Sequence, residues 1–157
     1  MYPGSSSLNG PDMRNHRVLI IDDSLTIRAM VEELLARHAN CTQVAVASDV
    51  PTARTLIAEF RPSLITLDLN MPGIDGLTFL DELSAHHHAP VVVVSSATSE
   101  DSEASEEAMA HGADACFDKA KIVTDATRFV KLLQRAAANQ IKVRAKPRGH
   151  LAIPEPL

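Results

Sequence analysis

Hydrophobic residues along this chain follow two alternating patterns. Short continuous apolar runs, most of them rich in β-branched side chains, occur at Val18-Leu19-Ile20-Ile21, Val44-Ala45-Val46-Ala47, Leu64-Ile65-Thr66-Leu67, Val91-Val92-Val93-Val94 and Ala115-Cys116-Phe117. Such runs suit strands buried on both faces, as in a parallel sheet. Between them, apolar residues recur at spacings of three and four, the period of a helix with one buried stripe. After Ser24 the stripe is Ile27, Met30, Val31, Leu34 and Leu35. Asp49 is placed to cap a second helix, with Pro51 in its first turn and Ala53, Leu56, Ile57 and Phe60 facing inward. A third helix carries Leu77, Leu80 and Leu83. A fourth runs from about Glu100 to His111 and stops at Gly112, a natural left-handed cap. A fifth offers Ala126, Phe129, Val130, Leu133 and Ala136.

Strands alternating with helices in this way predict one α/β domain, a doubly wound parallel sheet of five strands with five helices on its two faces. No internal repeat is visible. Residues 1–15 are Gly, Ser, Pro and Asn with little to bury, and are expected to form a disordered arm. Residues 16–138 form the domain. Residues 139–157 form a basic, flexible tail, with Lys142, Arg144, Lys146 and Arg148 opposed only by Glu155.

Composition narrows the function classes. The chain has 157 residues, 45% hydrophobic but only 3% aromatic and without Trp, so its core is built from Val, Ile, Leu and Ala. The net charge is −5. Since the tail carries +3, the first 138 residues carry −8, which argues against a nucleic-acid partner. No stretch approaches the ~18 consecutive apolar residues of a membrane span, and the N-terminus lacks a basic-then-apolar signal pattern. Cys41 and Cys116 are too few for a disulfide framework, so a cytoplasmic protein is expected.

In a doubly wound sheet the functional crevice lies beyond the carboxyl ends of the strands. The first run ends in Asp22-Asp23, the third in Asp68 with Asn70 two residues on, the fourth in Ser95-Ser96 and the fifth in Asp118-Lys119. Singly, each is an ordinary cap or loop residue. Together they place carboxylates, a hydroxyl and an ammonium at one rim. Clustered carboxylates repel one another, and a hard divalent cation relieves that repulsion; magnesium takes such oxygen ligands together with a phosphate oxygen. Asp23 and Asp68 are placed to bind it, with Asp22 in reserve. The hydroxyl and the ammonium would serve the remaining oxygens of a metal-bound phosphoryl group.

Asp22-Asp23-Ser24, the stretch from Leu67-Asp68 to Asp75-Gly76, Val94-Ser95-Ser96 and Gly112-Ala113-Asp114 with Asp118-Lys119 resemble a bacterial response-regulator receiver domain over residues 16–138. The resemblance implies a flavodoxin-like receiver fold with strand order 2-1-3-4-5. It implies that Asp68 is the phosphoacceptor, attacking the phosphohistidine of a partner histidine kinase. Asp23, Asp68 and the backbone carbonyl of Asn70 would ligate Mg2+, with Asp22 helping to position the ion. Lys119 would pair with the acceptor and then with the phosphoryl group. Ser95, five residues after Pro90, aligns with the switch hydroxyl; Ser96 is its neighbour. Output would pass to a protein partner through the face of the fourth helix, fifth strand and fifth helix.

Leu67-Asp68 with Gly76-Leu77-Thr78-Phe79-Leu80, the run from Val91 to Ser96 with Ala97-Thr98, and Ala47-Ser48-Asp49 look most like the receiver of chemotaxis methylesterases. A stand-alone receiver of that lineage is expected, since the tail is too short for a catalytic domain. Two positions depart from the family. Cys116 stands where a switch aromatic is usual, with Phe117 pointing to the opposite face. Ala120 follows Lys119 where Pro is common, so a looser loop is expected there.

The leading function is therefore a phosphorylation-operated switch, or a phosphate sink or relay in the same pathway. Other classes are an aspartate-nucleophile phosphatase, disfavoured because Asn70 replaces the second carboxylate, and a scaffold that is never phosphorylated. His86-His87-His88 reads as a loop cluster rather than a metal site. Cys116 reads as a core residue and Cys41 as a loop or strand-edge thiol. The acidic stretch at 99–107 reads as the solvated start of the fourth helix.

Overall fold

The structure is a computed structural model that describes residues 12–73, 75–86, 89–96 and 102–138. Its elements in chain order are β1 Arg17–Ile21, α1 Leu25–Ala39, β2 Gln43–Ala47, α2 Val50–Phe60, β3 Leu64–Leu67, α3 Gly76–His86, β4 Val91–Ser95, α4 Glu103–Ala110, β5 Ala115–Asp118, a 3-10 turn Lys119–Lys121, and α5 Ala126–Ala137. The five strands form one parallel sheet in the order β2-β1-β3-β4-β5, as the resemblance implied.

Alternation along the strands divides the core in two. Val18, Ile20, Leu64, Val92, Val94 and Phe117 meet α1 and α5 on one face, through Val31, Leu35, Phe129, Val130 and Leu133. Leu19, Ile21, Ile65, Leu67, Val91 and Val93 meet α2, α3 and α4 on the other, through Ala53, Phe79, Leu80, Leu83 and Ala108. The inner strands β1, β3 and β4 are buried almost throughout, as their apolar runs predict. The edge strand β2 is not: only Ala47 is buried and Val46 is 39% exposed, because an edge strand has less cover than its run alone suggests.

The caps follow local chemistry. Ser24 Oγ accepts from Ile27 N–H at 3.2 Å and Asp49 Oδ1 from Thr52 N–H at 2.8 Å, so both helices begin where a side-chain acceptor meets orphan donors. Pro51 lies in the first turn of α2, as expected. α4 is shorter than its sequence pattern suggests, because Ser102 rather than Glu100 marks its start, accepting from Ser105 N–H at 3.0 Å. Gly112 follows α4 with φ +113, a conformation open to glycine.

Residues 12–15 of the arm expected over 1–15 are described, and one of them belongs to the core. Met13 is fully buried against α1 and α5, and its N–H donates to Ala39 O at 2.9 Å. One methionine in a polar stretch has no period, so pattern reading passes over it. Residues 1–11 and the basic tail at 139–157 lie outside the described residues. Cys41, expected at a loop or strand edge, is in a loop but fully buried, and burial pushes its thiol above the ordinary range. Among the described residues no helix is long and apolar enough to cross a membrane.

Candidate functional site

Parallel strands end on the same side, so β1, β3 and β5 deliver their trailing residues to one rim. The ladders run one step past the strands: Asp22 N–H donates to Ala47 O and Asp68 N–H to Ile21 O, each at 3.0 Å. Asp22 and Asp68 are therefore held by the sheet itself, each 2% exposed, whereas Asp23 is exposed. One carboxylate oxygen from each of Asp22, Asp23 and Asp68 lies within 4.8 Å of the other two.

Lys119 enters this cluster from the end of β5. Its Nζ lies 3.0 Å from Asp22 Oδ2 and 3.1 Å from Asp68 Oδ2, bridging the two buried carboxylates. The remaining oxygens are served by main chain: Ser24 N–H donates to Asp22 Oδ1 at 2.8 Å, and Asn70 N–H to Asp68 Oδ1 at 3.0 Å. Burial pushes the Asp22 carboxyl above its usual range, against the downward pull of Ser24 N–H and Lys119; the Asp68 charge adds to the rise. Burial also works against the Lys119 ammonium, but its hydrogen bonds to Asp22 and Asp68 outweigh it and raise Lys119 above the ordinary lysine value. Lys119 is thus a permanent cation at neutral pH. It offsets part of a charge that three clustered carboxylates would otherwise concentrate.

The donor set suits a hard cation. Carboxylate oxygens converge, one of them on the exposed Asp23, and among the described residues no soft sulfur or imidazole ligand joins them. Among the described residues this is the sole cluster of its kind. Ser95 closes the rim from β4. It is fully buried, and Asn70 Nδ2 donates to its Oγ at 2.8 Å, whereas Ser96 beside it is exposed.

The structure thus gathers Asp22, Asp23, Asp68, Asn70, Ser95 and Lys119 at one place. Three connections were not foreseen from sequence, the first being the bond from Asn70 to Ser95. The sequence reading paired Lys119 with the acceptor alone, whereas it also binds Asp22. Arg28 was overlooked: its Nη1 donates to Asp22 O at 2.8 Å. The available signal was its position near the start of α1, where the helix dipole disfavours a cation.

The family departures also have an account. Cys116 is half-buried on the α4 side, with Sγ 3.8 Å from Ser105 O, while Phe117 packs on Phe129 on the α5 side at 4.9 Å, as alternation predicts. The loop after Lys119 carries hydrogen bonds of its own. Ala120 N–H donates to Asp118 Oδ1 at 3.0 Å, a bond no proline could make, and Asp125 N–H donates to Lys121 O at 2.8 Å. Of the three consecutive histidines only His86, exposed at the end of α3, is described. Ala97 and Thr98, and the acidic residues Glu100 and Asp101, lie outside the described residues.

Comparison with known proteins agrees with this geometry. A family model described as the response regulator receiver domain matches residues 18–138. The chain is 35% identical over 138 residues to protein-glutamate methylesterase/protein-glutamine glutaminase 2 of Shewanella oneidensis, covering 88% of this chain and 39% of that protein. It is 38% identical over 130 residues to the protein of the same name from Xanthomonas oryzae pv. oryzae, covering 83% of this chain and 36% of the relative. The chain therefore spans two-fifths or less of the length of these relatives. Among solved structures, the response regulator domain of Thermotoga maritima CheB superposes with a TM-score of 0.71 at 26% identity, covering 78% of this chain and 96% of that one.

Proposed function

The chain belongs to the response regulator receiver domain family, and from that membership we propose that it is a phosphorylation-operated switch of a two-component pathway, with Asp68 as phosphoacceptor. The observation that carries this reading is the Lys119 ammonium bridging buried Asp22 and Asp68 beside exposed Asp23. Asp23 and Asp68, with the Asn70 backbone carbonyl, would hold Mg2+, and Asp22 would help place it. Bound there, the ion would neutralise the clustered carboxylates and draw charge from phosphoryl oxygens.

In the proposed step an Asp68 carboxylate oxygen attacks the phosphorus of a phosphohistidine on a histidine kinase. A P–O bond forms, the P–N bond breaks, and the imidazole leaves with the bonding pair and takes a proton. Lys119 stays beside Asp68 and is positioned to pair with the new phosphoryl group, and Ser95 can donate its hydroxyl to it. Asn70 supplies no acid–base group at the second position after Asp68, and its amide is engaged with Ser95. That favours a stored phosphoryl group over turnover of an external substrate.

Output would pass through α4, β5 and α5 to a protein partner. A cleft of about 270 Å³ on this side is lined by the apolar Cys116, Phe117 and Leu132, by the cations Lys121, Arg128 and Arg135, and by one carboxylate, Asp118. Arg128 lies over the Phe117 ring, 5.3 Å from its centroid. Three cations against one carboxylate around an apolar floor suit an acidic partner segment with an apolar anchor.

The test is intact-mass spectrometry after incubation with acetyl phosphate and Mg2+, with Asp68→Asn alongside. One magnesium-dependent phosphate, absent from the variant, is the expected result; the same adduct on Asp68→Asn refutes the assignment. If neither protein gains mass, binding of beryllium fluoride decides, and its failure as well would favour the scaffold reading.

A further inference from the structure

We infer that Arg28 is a positioning residue for the acidic cluster: its guanidinium clamps the main chain at Asp22 and so holds the Asp23 carboxylate where a divalent cation can use it. Arg28 acts in this way only if the cluster takes Mg2+, as proposed above.

Arg28 lies in the first turns of α1, at the end of the helix that repels cations. It is half-buried close to Asp22 and Asp23, yet among the described residues it forms no ion pair with either carboxylate. Its Nη1 donates instead to the Asp22 carbonyl at 2.8 Å. The Asp22 N–H donates to Ala47 O at 3.0 Å, so this residue's main chain is tied to β2 on one side and to α1 on the other. Because the peptide unit is planar, fixing the Asp22 carbonyl also fixes the nitrogen and Cα of Asp23.

Asp23 is the carboxylate for which this matters. Asp22 and Asp68 are buried, and each accepts from a backbone N–H and from Lys119. The Asp23 carboxylate is exposed and accepts no hydrogen bond from the described residues. Among the described residues, its main chain is therefore the part of Asp23 that neighbours can restrain. An arginine bonded to the carbonyl rather than to a carboxylate restrains that main chain and itself takes up no carboxylate oxygen.

The clamp and simple electrostatics predict opposite signs. A positive charge beside the cluster repels a divalent cation, so removing it should tighten Mg2+ binding if charge were its only role. Removing a clamp should weaken binding. Isothermal titration of Mg2+ into the full chain distinguishes them, with thermal unfolding in the absence of Mg2+ as a check on folding. Arg28→Met is expected to bind Mg2+ roughly tenfold more weakly, the size of effect when a partner behind a metal ligand is lost. Arg28→Lys keeps a donor and the charge and should recover much of the affinity. Unchanged or tighter binding by Arg28→Met overturns the clamp. Should Arg28→Met not fold, Arg28→Gln, also neutral and two bonds shorter, carries the same opposed expectations. Wild-type protein that fails to bind Mg2+ would instead refute the magnesium reading itself, and the clamp with it.

Discussion

Asn70 and Ser95 meet between the C-terminal ends of β3 and β4, Asn70 Nδ2 donating to Ser95 Oγ at 2.8 Å. The bond joins the loop that follows the proposed phosphoacceptor to the proposed switch hydroxyl. It also orients that hydroxyl, because an oxygen that accepts from Asn70 must direct its own proton elsewhere. A phosphoryl oxygen on Asp68 is the acceptor that the proposed function supplies.

Asn70→Ala is accordingly expected to alter the lifetime of the phosphorylated form more than the rate of phosphoryl uptake. Following the decay of the phosphorylated mass after phosphodonor removal measures the first, and its appearance measures the second. Decay matching wild type would remove the Asn70 side chain from the account.

Lys119→Met should destabilise the magnesium-free fold at pH 7 by about 1–3 kcal/mol, below the full cost of breaking a buried pair because the Lys119 side chain is 19% exposed. The loss depends on pH. Burial already raises the Asp22 carboxyl, and without the Lys119 ammonium it rises further. A carboxyl raised in the folded state holds its proton there at pH values where the unfolded chain has lost it. Stability contributed in this way is present at acid pH and falls as pH rises through the raised value. The deficit of the variant should therefore shrink on acidification, as urea unfolding across a pH series would show. A deficit independent of pH would count against repulsion between Asp22 and Asp68.

Magnesium should stabilise the fold by relieving the same repulsion. At a concentration ten times its dissociation constant, a ligand specific for the native state adds about 1.4 kcal/mol. Asp23→Asn removes the exposed carboxylate without disturbing the hydrogen bonds of Asp22 or Asp68. It should raise the magnesium-free melting temperature slightly, because one of three clustered charges is gone, and abolish most of the further rise on adding Mg2+. An equal rise in wild type and variant would exclude Asp23 as a ligand.

Gly76 anchors the loop beyond Asp68 by close approach rather than by unusual backbone angles. A Cβ there would lie 2.5 Å from Leu69 O and 2.6 Å from Leu69 Cα, and Leu69 stands between Asp68 and Asn70. Gly76→Ala should cost roughly 1–3 kcal/mol in urea unfolding, the usual size for overpacking, and should disturb phosphoryl uptake as well. Gly73, at φ +83 with nothing within 4 Å of its absent Cβ, is the contrast. Gly73→Ala meets only backbone strain, about 1 kcal/mol, and should leave uptake nearly intact. The reverse order of the two variants would show that crowding at Leu69 does not matter.

Much of this protein is determined by local pattern. Continuous runs such as Val91 to Val94 specify strands buried on two faces, and stripes such as Phe129, Val130 and Leu133 specify the buried side of a helix. Once the sheet is parallel and doubly wound, the residues that close each run, among them Asp22, Asp68, Ser95 and Lys119, must gather at one rim. The cluster was therefore legible in outline before any distance was known. Tertiary structure alone decided how its members connect: that Lys119 serves Asp22 as well as Asp68, that Asn70 bonds Ser95, that Arg28 holds the Asp22 carbonyl, and that Met13 joins the core. The division has a physical cause. Periodicity expresses burial within a few residues of chain, whereas the contact of Lys119 with Asp22 spans 97 positions, and such contacts depend on strand register and crossovers that no local pattern encodes.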